Sequence, residues 1–119
     1  MNPASNGLQI TEQDGVSRVD FVERNILDEA NIQQIGEAIG ALVDASSRPR
    51  LLICFENVEH LSSAALGALI TVNTKVKARD GQLRLSNIRP QILEVFRITR
   101  LDRLFEIHST AEEAMATFG

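Results

Sequence analysis

Two adjacent serines, Ser62 and Ser63, are the residues in this chain best placed for chemistry. They follow His60-Leu61 and precede Ala64-Ala65-Leu66-Gly67, and beyond them Leu66, Leu69, Ile70, Asn73 and Val76 recur at helical spacing. The serines therefore stand where a helix begins, beside unpaired backbone N–H groups and the positive end of the helix dipole. A hydroxyl there can cap the helix, and a phosphate ester there sits in a favourable field. Two readings follow. In one, the small residues let the helix pack closely and a serine is a cap worth about 1 kcal/mol. In the other, the low-profile surface admits a partner and serine modification gates its approach. Composition alone leaves both open.

Catalysis is a poorer match to the inventory. The serines lack the flanking glycines of a nucleophile elbow. His60 is close to them in sequence only, and reads as an exposed loop residue; His108, after the last strand, reads the same way. Two histidines without clustered carboxylates or thiols make no metal motif, and no cofactor is expected. No glycine-rich loop follows a strand, so neither a dinucleotide nor a P-loop site is indicated. The single cysteine, Cys54, rules out a C-x-x-C pair and lies in an apolar run where a thiol is inert. It suits a reducing, cytoplasmic setting. The apolar run ends in Phe55-Glu56-Asn57, without the paired acids of a phospho-acceptor domain. No enzyme is expected.

The elements that must position the serines are legible from periodicity. A chain of 119 residues, 44% hydrophobic and 24% charged, is long enough for one domain with a real core. The formal net charge of -4 and the absence of tryptophan and tyrosine argue against direct nucleic-acid contact. No apolar run reaches membrane-spanning length, so no membrane insertion is expected. Residues 1–7 read as a flexible tail, and 8–119 as a single domain that is a monomer.

Residues 8–13 and 16–22 alternate as strands around Asp14-Gly15, a hairpin signal. Residues 23–27 connect, with room for a short extra strand. Asp28 offers an N-cap to a helix whose buried stripe is Ile32, Ile35, Ile39, Leu42 and Val43, with Gly36 and Gly40 packing it on the sheet. The run 51–55, continuous and apolar, suits a strand covered on both faces. The serine helix runs from about 63 to 79, stopped by Asp80-Gly81 with the glycine as left-handed cap. A strand at 82–86 follows. Pro90 then opens a helix with Ile92, Val95, Phe96 and Thr99 inward. A short strand at 104–107 comes next, and Thr110-Ala111-Glu112-Glu113 is a capping box for a last helix. The fold class is α/β: a central mixed, largely parallel sheet with an N-terminal hairpin and about four helices.

Taken together, these segments resemble the STAS domains, and within them the bacterial anti-sigma factor antagonists. The likeness runs collinearly from about Leu8 to Phe118. In that family the junction reads aspartate-serine-serine/threonine-glycine-leucine-glycine; here it is Ser62-Ser63-Ala64-Ala65-Leu66-Gly67. Ile26-Leu27-Asp28, Leu83-Arg84-Leu85-Ser86-Asn87-Ile88 and Val95-Phe96-Arg97-Ile98-Thr99-Arg100-Leu101 match further family segments. The departures are Ser62 for the aspartate, Ala65 for a glycine, Asn25 for the glycine ahead of Leu27-Asp28, and Arg100 for a glycine after the third helix.

The resemblance implies the STAS fold and a partner-switching role. An anti-sigma factor that is itself a histidine-kinase-like serine kinase binds the antagonist and phosphorylates it, and a phosphatase reverses this. By this matching Ser63 is the phosphosite, with Ser62 the second candidate. The implied contact surface comprises Asn25, Asp28, Asn57, Glu59, His60, Ser62, Ser63, Ala64, Leu66 and Gly67. The alternative within the fold is a constitutive docking subunit of a larger assembly, such as a lipid transport complex, without phosphorylation; the alternative of another class is a small-ligand sensor or an enzyme using Ser63.

Overall fold

The computed structural model describes residues 8–118, and the tail expected over 1–7 lies outside the described residues. Its elements are β1 (Leu8–Gln13), β2 (Val16–Phe21), β3 (Asn25–Ile26), α1 (Glu29–Asp44), β4 (Arg50–Cys54), β5 (His60–Leu61), α2 (Ser63–Ala78), β6 (Gln82–Ser86), α3 (Pro90–Ile98), β7 (Glu106–His108) and α4 (Ala111–Met115). A 3₁₀ turn, Leu101–Arg103, precedes β7.

β4 is the centre of the molecule because its side chains from Leu51 onward are all apolar. Neither of its faces can meet water, so both must be covered. It pairs parallel with β2 on one side and β6 on the other, with Ile53 opposite Val19 and Leu85. The sheet order is β1-β2-β4-β6-β7, mixed through the antiparallel β1–β2 hairpin. At the hairpin turn Asp14 and Gly15 have φ of 52° and 80°, the geometry that matches strand twist.

Alternation along β4 sorts the core into two layers. Leu51, Ile53 and Phe55 face α1, α2 and α3, joined by Val19 and Phe21 of β2 and Leu83 and Leu85 of β6. Phe21 and Phe55 pack with ring centroids 5.2 Å apart. On the other face Leu52 and Cys54 meet Val16 and the small α4, through Ala111 and Ala114. The helices begin where expected: Asp28 Oδ1 accepts from Ala30 N over 3.0 Å, and Thr110 Oγ1 from Glu113 N over 3.1 Å.

Five expectations are corrected. Gly36 and Gly40 face α2 and not the sheet: a Cβ at Gly36 would lie 3.9 Å from Ala68 Cβ, and one at Gly40 3.5 Å from Lys75 Nζ. They thin α1 so that two helices share one face of the sheet. The left-handed residue after α2 is Asp80, φ 55°, not Gly81. Gly81 is small for another reason, since a Cβ there would lie 2.3 Å from the carbonyl oxygen of Pro49. Ile70 is exposed on α2, and Val72 is buried in the core instead. Val95 on α3 and Thr99, the cap at its end, are exposed; the short helix meets the core along the single row Ile92–Phe96. The last strand begins at Glu106, not 104, because the 3₁₀ turn takes up the chain before it.

Two predictions follow from this packing. Gly81→Ala drives a methyl into Pro49 and should lower stability by about 1–3 kcal/mol, read from the urea midpoint. Burial pushes the Cys54 thiol above its ordinary value of 9.0, against the opposing hydrogen bond with Ser86 Oγ at 3.1 Å. The unfolded thiol therefore ionises first. Stability from this group is intact below pH 9.0 and falls as pH rises toward the folded value. The wild type should lose more stability than Cys54→Ala across that alkaline window.

Candidate functional site

The site is assembled at the carboxyl ends of β2 and β4, where loops leave a parallel sheet. Its organising residue is Ser62. The backbone there is extended, and Ser62 Oγ accepts from Ala65 N over 3.2 Å, so Ser62 is the N-cap of α2. Its own N–H donates to Ile26 O over 3.1 Å, which fixes the helix start against β3. Ser63 is the first helical residue and is exposed.

The first two turns of α2 divide cleanly. Ala65, Leu66 and Leu69 are buried. Leu66, expected on the contact surface, thus belongs to the core, because it lies on the inner row of the helix. Ser63, Ala64 and Gly67 face outward. A Cβ built on Gly67 meets nothing within 4 Å, so no internal packing requires glycine there. Glycine at an exposed helical position costs about 0.5–1 kcal/mol relative to alanine. Further along, Thr71 and Thr74 fold their hydroxyls back to Gly67 O and Ile70 O, over 3.2 and 3.1 Å. The outer face of α2 is therefore low over its first turns, where Ser63, Ala64 and Gly67 carry little or no side chain.

The neighbouring loops are held by a small parallel sheet of β3 and β5, in which Asn25 lies opposite His60 and Ile26 opposite Leu61. His60 Nδ1 lies 2.7 Å from Asn25 Oδ1, an acceptor, so Nδ1 carries the proton in this bond. The Arg24 carbonyl accepts from both Glu59 N and His60 N, over 2.7 and 3.1 Å. Asn57 Nδ2 donates to Phe21 O over 3.3 Å, tying this loop to the end of β2. The Arg89 guanidinium donates to Glu56 O over 3.2 Å. Val58 is fully buried and anchors the loop from below.

Asn25, Asp28, Asn57, Glu59, His60, Ser62, Ser63, Ala64 and Gly67 thus share one end of the molecule. Asp28 caps α1 while remaining exposed, and Glu56 and Glu59 add negative charge to this rim. Leu27 and Val22, 56% and 46% exposed, flank β3; Leu27 falls within the 25–28 segment expected at the contact, and Val22 was missed by the sequence reading. Their signal is the apolar pairs Phe21-Val22 and Ile26-Leu27. Adjacent residues of an extended chain face opposite ways, so only one of each pair can enter the core.

The His60 ring is engaged by Asn25 and not by a serine. Among the described residues no three histidine, cysteine or carboxylate side chains converge as metal ligands would. The arrangement offers a flat, exposed, hydroxyl-bearing helix start framed by two fixed loops. Ser62→Ala should cost about 1 kcal/mol in urea unfolding, with Ser63→Ala changing it by less than about 0.5. Gly67→Ala should raise stability by about 0.5–1 kcal/mol in the same assay.

Comparison with known proteins identifies the fold that carries this geometry. A model of the STAS domain matches residues 8–114. Over 95 residues the chain is 27% identical to a candidate anti-sigma factor antagonist, BtrV, of Bordetella bronchiseptica, covering 80% of this chain and 81% of that one. An anti-sigma-factor antagonist (STAS) domain protein from Planctomyces limnophilus superposes with a TM-score of 0.83 at 25% identity, over 92% of this chain and 95% of that one. The Bacillus cell fate determinant SpoIIAA, solved in its phosphorylated form, superposes with a TM-score of 0.71 at 20% identity, over 92% and 96% of the two chains. That last likeness is one of fold alone. With the profile match spanning nearly the whole described chain and the strand order and helices built above, this protein belongs to the STAS domain family.

Proposed function

We propose that this chain is an anti-sigma factor antagonist whose binding to an anti-sigma factor is switched by phosphorylation of Ser63. The observation that carries the reading is the division of labour between the two serines. Ser62 supplies the cap of α2, and its hydroxyl is occupied. Ser63 has an exposed hydroxyl on the first turn, and nothing in the fold depends on it. A phosphate on Ser63 lies at a helix N-terminus, where the dipole and free N–H groups favour negative charge. The fold tolerates it. A phosphate on Ser62 would have to share its oxygen with the existing bond from Ala65 N, so the cap would be remade through a phosphate oxygen.

The same group is hostile to an interface. It adds about -1.5 to -2 charge beside Glu59 and Asp28, on a face that a partner must desolvate. Gly67 supports the reading independently. It is the one residue of the outer face whose side chain is absent without an internal reason, which suits a surface that another protein approaches closely. The contact surface is then Ser63, Ala64 and Gly67, framed by Asn57, Glu59 and His60 on one side and Asn25 and Asp28 on the other, with Ser62 and Leu66 beneath it as support.

In this reading the partner is a histidine-kinase-like serine kinase that holds a sigma factor, and a phosphatase restores the unmodified form. The single domain over 8–119 acts as a monomer in the cytoplasm, with no cofactor, catalysis or nucleic-acid contact of its own. No helix among the described residues is long and apolar enough to cross a membrane. The test is calorimetry with the anti-sigma factor encoded in the same genome. Ser63→Asp should weaken binding at least tenfold with an unchanged circular dichroism spectrum, whereas Ser63→Ala should bind as wild type and accept no phosphate from ATP. Unchanged affinity for Ser63→Asp overturns the switch.

A further inference from the structure

Asn73 stands on the inner side of α2 between Leu69 and Val76, about 15 Å along the helix from Ser63. It is 5% exposed, one of the few polar residues in an apolar layer. Among the described residues its side-chain amide makes no hydrogen bond. A buried amide without partners is costly, and native folds avoid it. Among the described residues no buried polar side-chain atom is both sealed and unpaired, so the Asn73 amide is open to what lies beside it. What lies beside it is a groove of about 310 Å³ between the second half of α2, the β6–β7 edge and the 3₁₀ turn.

The groove is cationic in a chain that is acidic overall. Lys77, Arg84 and Arg103 line it against one carboxylate, Glu106. Glu106 is already engaged by Arg84 at 2.9 Å and by His108 at 2.8 Å. Lys77 and Arg103 make no ion pair among the described residues. Lys77 is four residues beyond Asn73 and so shares its face. Arg103 comes from the opposite wall. Two unpaired cations and an unpaired amide therefore look into one recess.

We propose that this groove binds a small phosphate-bearing molecule, with Asn73 as the buried hydrogen-bonding group and Lys77 and Arg103 as counter-charges. A phosphate dianion matches two cations, and an arginine fork suits its oxygens. A nucleotide is a poor occupant. The one ring in the lining, Phe105, is buried and packs edge-on against Phe96 at 5.9 Å, so no aromatic face is open to a base. The phosphate belongs either to free phosphate or to a compact phosphate monoester. The site is separate from the serines, so a ligand here acts on α2 from the end opposite to its partner-binding turn. The proposal does not rest on the reading of Ser63.

The test is an NMR titration of the ¹⁵N-labelled full chain with sodium phosphate and, separately, with glycerol 3-phosphate, each against sodium chloride at matched ionic strength. The Asn73 side-chain amide and the Lys77 and Arg103 backbone peaks should shift saturably with at least one phosphate. Saturation by glycerol 3-phosphate alone assigns a monoester, and tighter saturation by inorganic phosphate assigns the free ion. Arg103→Gln should weaken the Kd about tenfold. Asn73→Leu should abolish saturation and raise the Tm of the free protein, because it replaces an unpaired amide by an apolar group of similar size. No saturable shift with either phosphate overturns the proposal. So do unchanged shifts in Asn73→Leu, or a lowered Tm in that variant, which would mean that the amide is already satisfied within the fold.

Discussion

Everything in this molecule depends on the double burial of β4. A strand with apolar side chains on both faces needs a layer on each side, and the alternation of Leu51, Ile53 and Phe55 with Leu52 and Cys54 divides the work unequally. Three helices cover one face; the five residues of α4 and Phe118 beyond it cover much of the other. With β2 and β6 paired on its flanks, β4 has no edge or face left for a ligand. Recognition is confined to the ends of the sheet and to the outer surfaces of the helices. The serine turn occupies one such end because α2 must start where the loop after β4 returns to the sheet.

Two helices crowd the better-covered face, and their spacing is set by small residues. Gly36 and Gly40 on α1 meet Ala68 and Lys75 on α2. The inner turns of α2 are committed to this contact and to the sheet through Ala65, Leu66 and Leu69. The outer turns are left without a packing role. A helix fixed this firmly on one side can carry residues on the other that weaken it, and Gly67 is such a residue.

Much of this was legible in the residues. The hairpin at Asp14-Gly15, the caps at Asp28 and Thr110, and the order of strands and helices follow from local pattern, because each depends on a few neighbouring side chains. The serine junction was legible too, and its place on the exposed first turn of α2 followed from the strand-to-helix transition. What was not legible depends on partners far away in sequence. Gly81 looked like a cap, but its size is set by Pro49 across a loop. Val95 fitted the inward period of α3, yet a nine-residue helix touches the core along one row only. Leu66 matched a surface motif but points inward. Arg100 takes φ 64°, a conformation suited to glycine; the arginine itself does not announce it, and only the glycine of the resembled family at this position did. β3 and β5 are two residues each, too short for any period to show.

That miniature sheet has a kinetic consequence. The segments around Asn25 and His60 arise on different sides of β4 in the chain, thirty-five residues apart, and their pairing makes one body of them. Loops that are already ordered lose little freedom when a second protein lands on them. Docking is then closer to the meeting of two rigid shapes than to folding upon contact, with little backbone rearrangement to slow it. Capture and release at such a surface are governed by the charge and shape presented at the moment of encounter. A change at a single hydroxyl can alter how long two molecules stay together without first having to remodel either of them.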